Sequence, residues 1–285
     1  MPAAALALVL TAAVFHASWN ALTKRAHDQL AFLCLAVGLA GVVFLPVTLW
    51  ALPPAGVPAG AWPFIAATVA LHALYFYALG RSYGSGEFSL VYPIARGLGV
   101  ALVPGLAALL LDERPSRVGA LGIALVVVGI VALQRIGTAR GAARARLGAG
   151  TGWALLTGLT IAGYALVDKA GVSRLHPVPY IGLMFVGSVL VLLPLAVARR
   201  ERFAREWRLN GRTIVAAAAL SLVAYLLVLF AFRLSKTGYV VAAREVSIVI
   251  SVVIGRLWFG ERRLPARLAG AAFVLAGVLC IALAR

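Results

Sequence analysis

RGLGVALVPGLAALLLDER at residues 96–114 and REVSIVISVVIGRLWFGER at residues 244–262 share one layout. Arg96 is followed seventeen residues later by Glu113-Arg114, and Arg244 is followed seventeen residues later by Glu261-Arg262. The same offset of 148 carries Gly122 onto Gly270 and Gly129 onto Gly277. Between the flanking charges the residues are almost entirely apolar. A repeat of this length in so apolar a chain points to a duplicated membrane module, a common way to build a transporter.

The composition agrees. Of 285 residues, 63% are hydrophobic and 12% charged, with mean hydropathy +0.99. Soluble domains lie nearer half apolar and a quarter charged, so this is the composition of a polytopic membrane protein. A net charge of +17 would suggest nucleic acid if it formed one basic face. Instead, Lys and Arg fall mainly in short gaps between apolar runs, which argues against a nucleic-acid partner. Cys34 and Cys280 both sit inside apolar stretches and give neither a disulfide framework nor a metal spacing. The first apolar run, Ala3 to Leu22, lacks a basic segment ahead of it, and Lys24-Arg25 come after it. It reads as a retained span rather than a signal peptide.

A bilayer core about 30 Å thick needs roughly 20 apolar residues per helix. By that ruler ten spans are expected, at 3–22, 30–51, 62–82, 88–110, 116–134, 150–169, 179–198, 213–233, 238–259 and 266–284. Pro53, Pro54 and Pro58 close span two, and Ser82 to Gly86 reads as a tight turn after span three. Long strands are excluded because the apolar runs show no period-two alternation. The chain divides into a first five-helix repeat at 1–134, a basic linker at 135–148 and a second repeat at 149–285. With five spans per repeat, the second copy enters the membrane upside down. The first spans match more weakly, Trp19 and Lys24 falling on Tyr164 and Lys169 at an offset of 145. Loop charge is heaviest at 135–147 and 199–212, so the positive-inside rule places these loops in the cytoplasm and both termini outside. In the second of these loops, Phe203 and Trp207 stand one helical turn apart among arginines. They suit either a short helix on an anionic leaflet or a merely solvated basic loop.

Ionisable groups inside spans are costly and therefore mark function by default. Here they are His16, His72, Arg96, Arg244 and Glu245, with Glu87 and Asp168 near span ends. Arg96 and Arg244 occupy equivalent repeat positions. Around the first, Tyr92-Pro93-Ile94-Ala95-Arg96-Gly97-Leu98-Gly99 combines proline, glycine and charge, which is expected to break the helix where it lines a cavity. An arginine there can grip a carboxylate or phosphate through its fork, or it can snorkel or pair with Glu87 or Glu245. Glu245 has no acidic counterpart, since Gly97 stands at its matched position; it is a candidate for proton coupling, or an ion-pair partner of an arginine. His16, Trp19, Asn20 and Lys24 share one face of span one, either a wall of a substrate path or glue between helices. His72 with Tyr75 reads as a satisfied core histidine. The Glu-Arg pairs after spans four and nine read as structural, with Pro115 and Pro265 opening the next helices. The paired glycines let spans five and ten approach another helix closely.

The chain contains no GxxxxGK[ST], no HExxH, no Cys/His cluster and no Gly-x-Ser-x-Gly. It therefore offers no ATP-driven pump motif, no enzyme active site, and no metal or cofactor site. His16-Ala-Ser-Trp-Asn20 with Lys24, Tyr92-Pro-Ile-Ala-Arg96, Arg244-Glu-Val-Ser247 and the two Glu-Arg pairs together resemble the ten-helix, EamA-type members of the drug/metabolite transporter superfamily. The resemblance covers the whole chain as two five-helix halves. It implies a multi-pass secondary transporter of the cytoplasmic membrane that moves small metabolites, commonly by export. It also implies a central cavity formed by spans one, three and four with six, eight and nine. Ala165 stands where Asn20 stands in the first half, so the cavity is expected to be asymmetric.

The expectation is thus an all-α membrane protein of ten transmembrane helices in two inverted five-helix repeats. Its partners are the bilayer and a small polar metabolite, such as an amino acid or organic anion. Arg96, Arg244, His16, Asn20 and Tyr92 are the substrate-binding candidates and Glu245 the coupling candidate. The other reading is a non-transporting membrane scaffold or sensor.

Overall fold

In lipid every backbone N–H and C=O must find a partner inside its own segment, so long apolar runs become helices. The computed structural model describes residues 1–85, 88–138, 149–250 and 264–284, and these residues are helical with short connections and no strand. Among the described residues the bounded α-helices are α1 (Ala3–Lys24), α2 (Gln29–Trp50), α3 (Trp62–Ser85), α4 (Phe88–Leu110), α5 (Arg117–Thr138), α6 (Ala149–Val172), α7 (Pro177–Ala198), α8 (Arg200–Leu234), α9 (Thr237–Ala243) and α10 (Leu264–Leu283). Six of them, α1, α2, α3, α6, α7 and α8, are long and apolar enough to cross a membrane. Shorter apolar stretches occur at Ile94–Leu110, Arg117–Ala132 and Ala269–Leu283. Large apolar side chains such as Val42, Leu109 and Leu190 face outward, the pattern of a lipid-facing surface. Trp50 and Trp62 are exposed at the end of α2 and the start of α3, where an aromatic belt belongs.

Three expectations need correction. Helix α3 runs through Ser85, so Ser82 to Ser85 form no turn. Helix α4 runs unbroken from Phe88 to Leu110. Pro93 falls early in it, where a missing N–H costs a single bond. Gly99 instead serves packing: a Cβ there would lie 2.6 Å from Ile161 of α6, and one at Gly158 would lie 2.9 Å from the Ala95 carbonyl oxygen. The break appears in the second half, where α9 ends at Ala243, Arg244 and Glu245 form a turn, and helix resumes at residue 246. Finally, of the two readings of the basic segment 199–212 the solvated loop is corrected and the helix holds. The segment is the first arm of α8, bent from the remainder at Asn210 (φ −127°, ψ 17°). Phe203 is buried under this arm while Trp207 is partly exposed. Buried Glu206 accepts bonds from the Asp28 N–H at 2.8 Å and from Asn210 Nδ2 at 2.6 Å, tying the arm to the α1–α2 connection.

Helix α1 packs on α8 and α3 packs on α6, two pairings that exchange when the halves are exchanged; α2 faces α7 and α5 faces α10. The last pair approaches through the matched glycines. A Cβ at Gly122 would lie 2.6 Å from the Gly277 carbonyl oxygen, and one at Gly129 would lie 2.7 Å from that of Gly270, so the two helices run antiparallel at backbone contact. Pro46 inside α2 and Pro194 inside α7 are also 148 residues apart. The amino group of Met1 donates to the Ile281 carbonyl at 3.2 Å, placing the start of α1 beside the end of α10. Glu113 does structural work across the halves. It accepts the Thr237 N–H at the start of α9 and meets Lys169 Nζ of α6 at 3.1 Å. Glu87, Glu261 and Arg262 lie outside the described residues.

Candidate functional site

The buried polar groups gather in the middle of the bundle. Helix α1 brings His16 and Trp19, whose rings meet edge to face at 4.9 Å. Helix α3 brings His72, Tyr75 and Phe76, α6 brings Tyr164, and α8 brings Tyr225. Arg244 enters from the turn after α9. Together with apolar residues of α1, α7 and α8 these groups enclose a cavity with about 40 Å³ of free space. That is room for a water or two, since a water's share of the liquid is about 30 Å³. A metabolite needs a site nearer 300 Å³ or more, so the cavity as it stands is too small to hold one.

His72 belongs to this wall rather than to a plain core. Its ring stacks on Tyr164 at 4.3 Å and 27°, and meets Tyr225 edge to face at 5.1 Å. Its Nδ1 lies 2.9 Å from Thr68 Oγ1 one helical turn back, which fixes the ring. Tyr164 and Tyr225 are cavity residues that sequence reasoning missed, because an isolated tyrosine in an apolar run carries no periodic signal. Asp168 was noted only for its place near a span end. Its fully buried carboxylate accepts hydrogen bonds from Tyr180 (2.8 Å) and from Tyr225, so α6, α7 and α8 are joined behind the cavity.

The two arginines part company. Arg96 and Glu245 form a bidentate pair, Nε to Oε2 at 3.1 Å and Nη2 to Oε1 at 2.5 Å, with both side chains almost fully buried. This pair joins the first half to the second, and Arg96 is not among the residues lining the cavity. Arg244 does line it, 2% exposed, with Nη2 3.5 Å from the Tyr164 hydroxyl. Its Nε has no hydrogen-bond partner among the described residues. Asn20 lies outside the lining; it donates to the His16 carbonyl at 2.8 Å and accepts from the Tyr83 hydroxyl at 3.1 Å, fastening α1 to α3. Tyr92 lies on α4 one turn before Arg96, its side chain outside the described residues. Among the described residues no group of His, Cys, Asp and Glu is arranged to hold a metal ion.

The EamA-like transporter family matches residues 148–283, in agreement with the resemblance read from the sequence. The match spans the second half of the chain, and with the apolar helical bundle it makes the chain similar to transmembrane transporters of that family. No curated protein matches the chain. A solved structure described only as "Crystal structure of protein" superposes with a TM-score of 0.68 over 99% of both chains at 14% identity, a likeness of fold alone.

Proposed function

We propose that the chain is a secondary active transporter that exports a small polar metabolite, such as an amino acid or organic anion, by alternating access. One observation carries this: a small cavity lies between helices of both halves, walled by aromatic rings, two histidines and a buried arginine. A scaffold has no use for costly buried charge around an internal void, whereas a carrier needs polar groups at mid-bundle. The contributing elements are α1, α3, α6, α7, α8 and the turn after α9, close to the set that the family resemblance implies. The exchangeable pairings and the antiparallel α5–α10 contact support two inverted five-helix repeats. In this scheme the termini lie outside, the bent arm of α8 rests on the cytoplasmic face of the inner membrane, and the conformation described is the occluded one. Arg96 and Glu245 latch the halves together, while His16 and Arg244 face the substrate.

The test is counterflow in proteoliposomes preloaded in turn with amino acids, nucleosides and organic anions. Carrier function predicts uptake of label above protein-free vesicles for one of these classes. Equal signal with and without protein across all three, from protein shown to be folded, contradicts it.

A further inference from the structure

We infer that Arg244 is the anion-receiving group of the cavity, and that the substrate's carboxylate takes on Arg244 the place that Glu245 takes on Arg96. This deepens the carrier function proposed above and rests on it. The two arginines are repeat-equivalent, but the residue after each differs: Gly97 follows Arg96 and Glu245 follows Arg244. Glu245 neutralises Arg96 across the halves. The carboxylate that the repeat would supply to Arg244 in return is absent, because Gly97 has no side chain. Among the described residues no carboxylate lies within ion-pair distance of Arg244, and its Nε is unpartnered. Asp168, the other buried carboxylate of this region, is occupied by Tyr180 and Tyr225.

Among the described residues the Arg244 guanidinium meets the Tyr164 hydroxyl at 3.5 Å and no carboxylate, and a buried guanidinium without a counter-charge is costly until an anion arrives. Its planar fork matches a carboxylate bidentately. The cavity as it stands has space for the two carboxylate oxygens but not for the body attached to them. That body must enter between Trp19, Tyr164 and Tyr225 as the bundle opens, which selects a small carboxylate with a flat or apolar remainder.

The experiment compares thermal unfolding of purified wild type, Arg244→Met, Arg244→Lys and Arg96→Met, each without ligand and with benzoate or its neutral isostere benzamide. Without ligand, Arg244→Met should match or exceed wild type, because it removes an uncompensated charge. Arg96→Met should fall by several degrees, because it strands Glu245. Benzoate should raise the wild-type midpoint, benzamide should not, and the rise should vanish in Arg244→Met and shrink in Arg244→Lys. The inference is overturned if Arg244→Met destabilises as much as Arg96→Met, if benzoate still stabilises Arg244→Met, or if benzoate leaves wild type unmoved. Transport is judged separately: stabilisation by benzoate without counterflow would keep the anion site and remove the carrier function.

Discussion

The Arg96–Glu245 pair is a buried, bidentate ion pair between the halves. Both charges have left water, and the two meet through a bidentate pair of hydrogen bonds. Removing one partner, as in Glu245→Ala, should cost about 3–5 kcal/mol, whereas replacing both with methionine should recover most of that loss. A double-mutant cycle of unfolding midpoints checks this; additive losses would mean that the two residues act independently. Candidate residues were legible in the sequence where they are ionisable, since a charge in an apolar run stands out. The pairing of Arg96 with Glu245 was legible as one of several open readings, but the choice among them was not. That Arg96 finds Glu245 while Arg244 finds the cavity depends on helices brought together from opposite ends of the chain. Tyr164, Tyr225 and the partners of Asp168 were hidden for the same reason.

At the scale of elements, helix extents followed from run length, since about 20 residues are needed to cross the core. Helix α2 ends at Trp50 ahead of its prolines, close to the expected boundary. What run length cannot show is where a helix continues into polar residues, as α3 does through Ser85, or where α8 begins early and bends at Asn210. The glycines spaced by seven gave the close approach of α5 and α10 in advance, though not that they meet each other. Gly277→Ala puts a methyl 2.5 Å from the Gly122 carbonyl oxygen, and should destabilise by about 1–3 kcal/mol through forced separation. A midpoint unchanged from wild type would argue against that contact. Glu206→Ala strands the Asp28 N–H and the Asn210 amide, and should free the basic arm of α8. Proteolysis after Arg205 or Arg208 should then quicken, while an unaltered digestion rate would contradict the tether. At the start of α7, partial burial and the charge of Arg233 hold His176 below its ordinary 6.5. The unfolded chain therefore binds that proton first, so this contribution is present above about pH 6.5 and is lost as pH falls below it. Between pH 7 and 5.5 wild type should lose slightly more stability than His176→Asn; parallel curves would remove the effect.

For the whole molecule, the repeat in the sequence leads one to expect two matched halves, and the exchangeable pairings of α1 with α8 and α3 with α6 are compatible with the proposed repeat. The division of labour between them was not announced, because it rests on a single difference, Gly97 against Glu245. One half supplies the arginine that is neutralised and the other supplies the one left for a ligand. A carrier built this way must expose the same cavity first to one side and then to the other. The measurement that tests this most directly uses Ala224→Cys, a small substitution in the cavity wall, in a background lacking Cys34 and Cys280. A membrane-impermeant thiol reagent is applied to each face of sealed proteoliposomes of defined orientation. Alternating access predicts labelling from both faces, with the balance shifting when a transported anion is present. Labelling from one face only, or from neither, would contradict it.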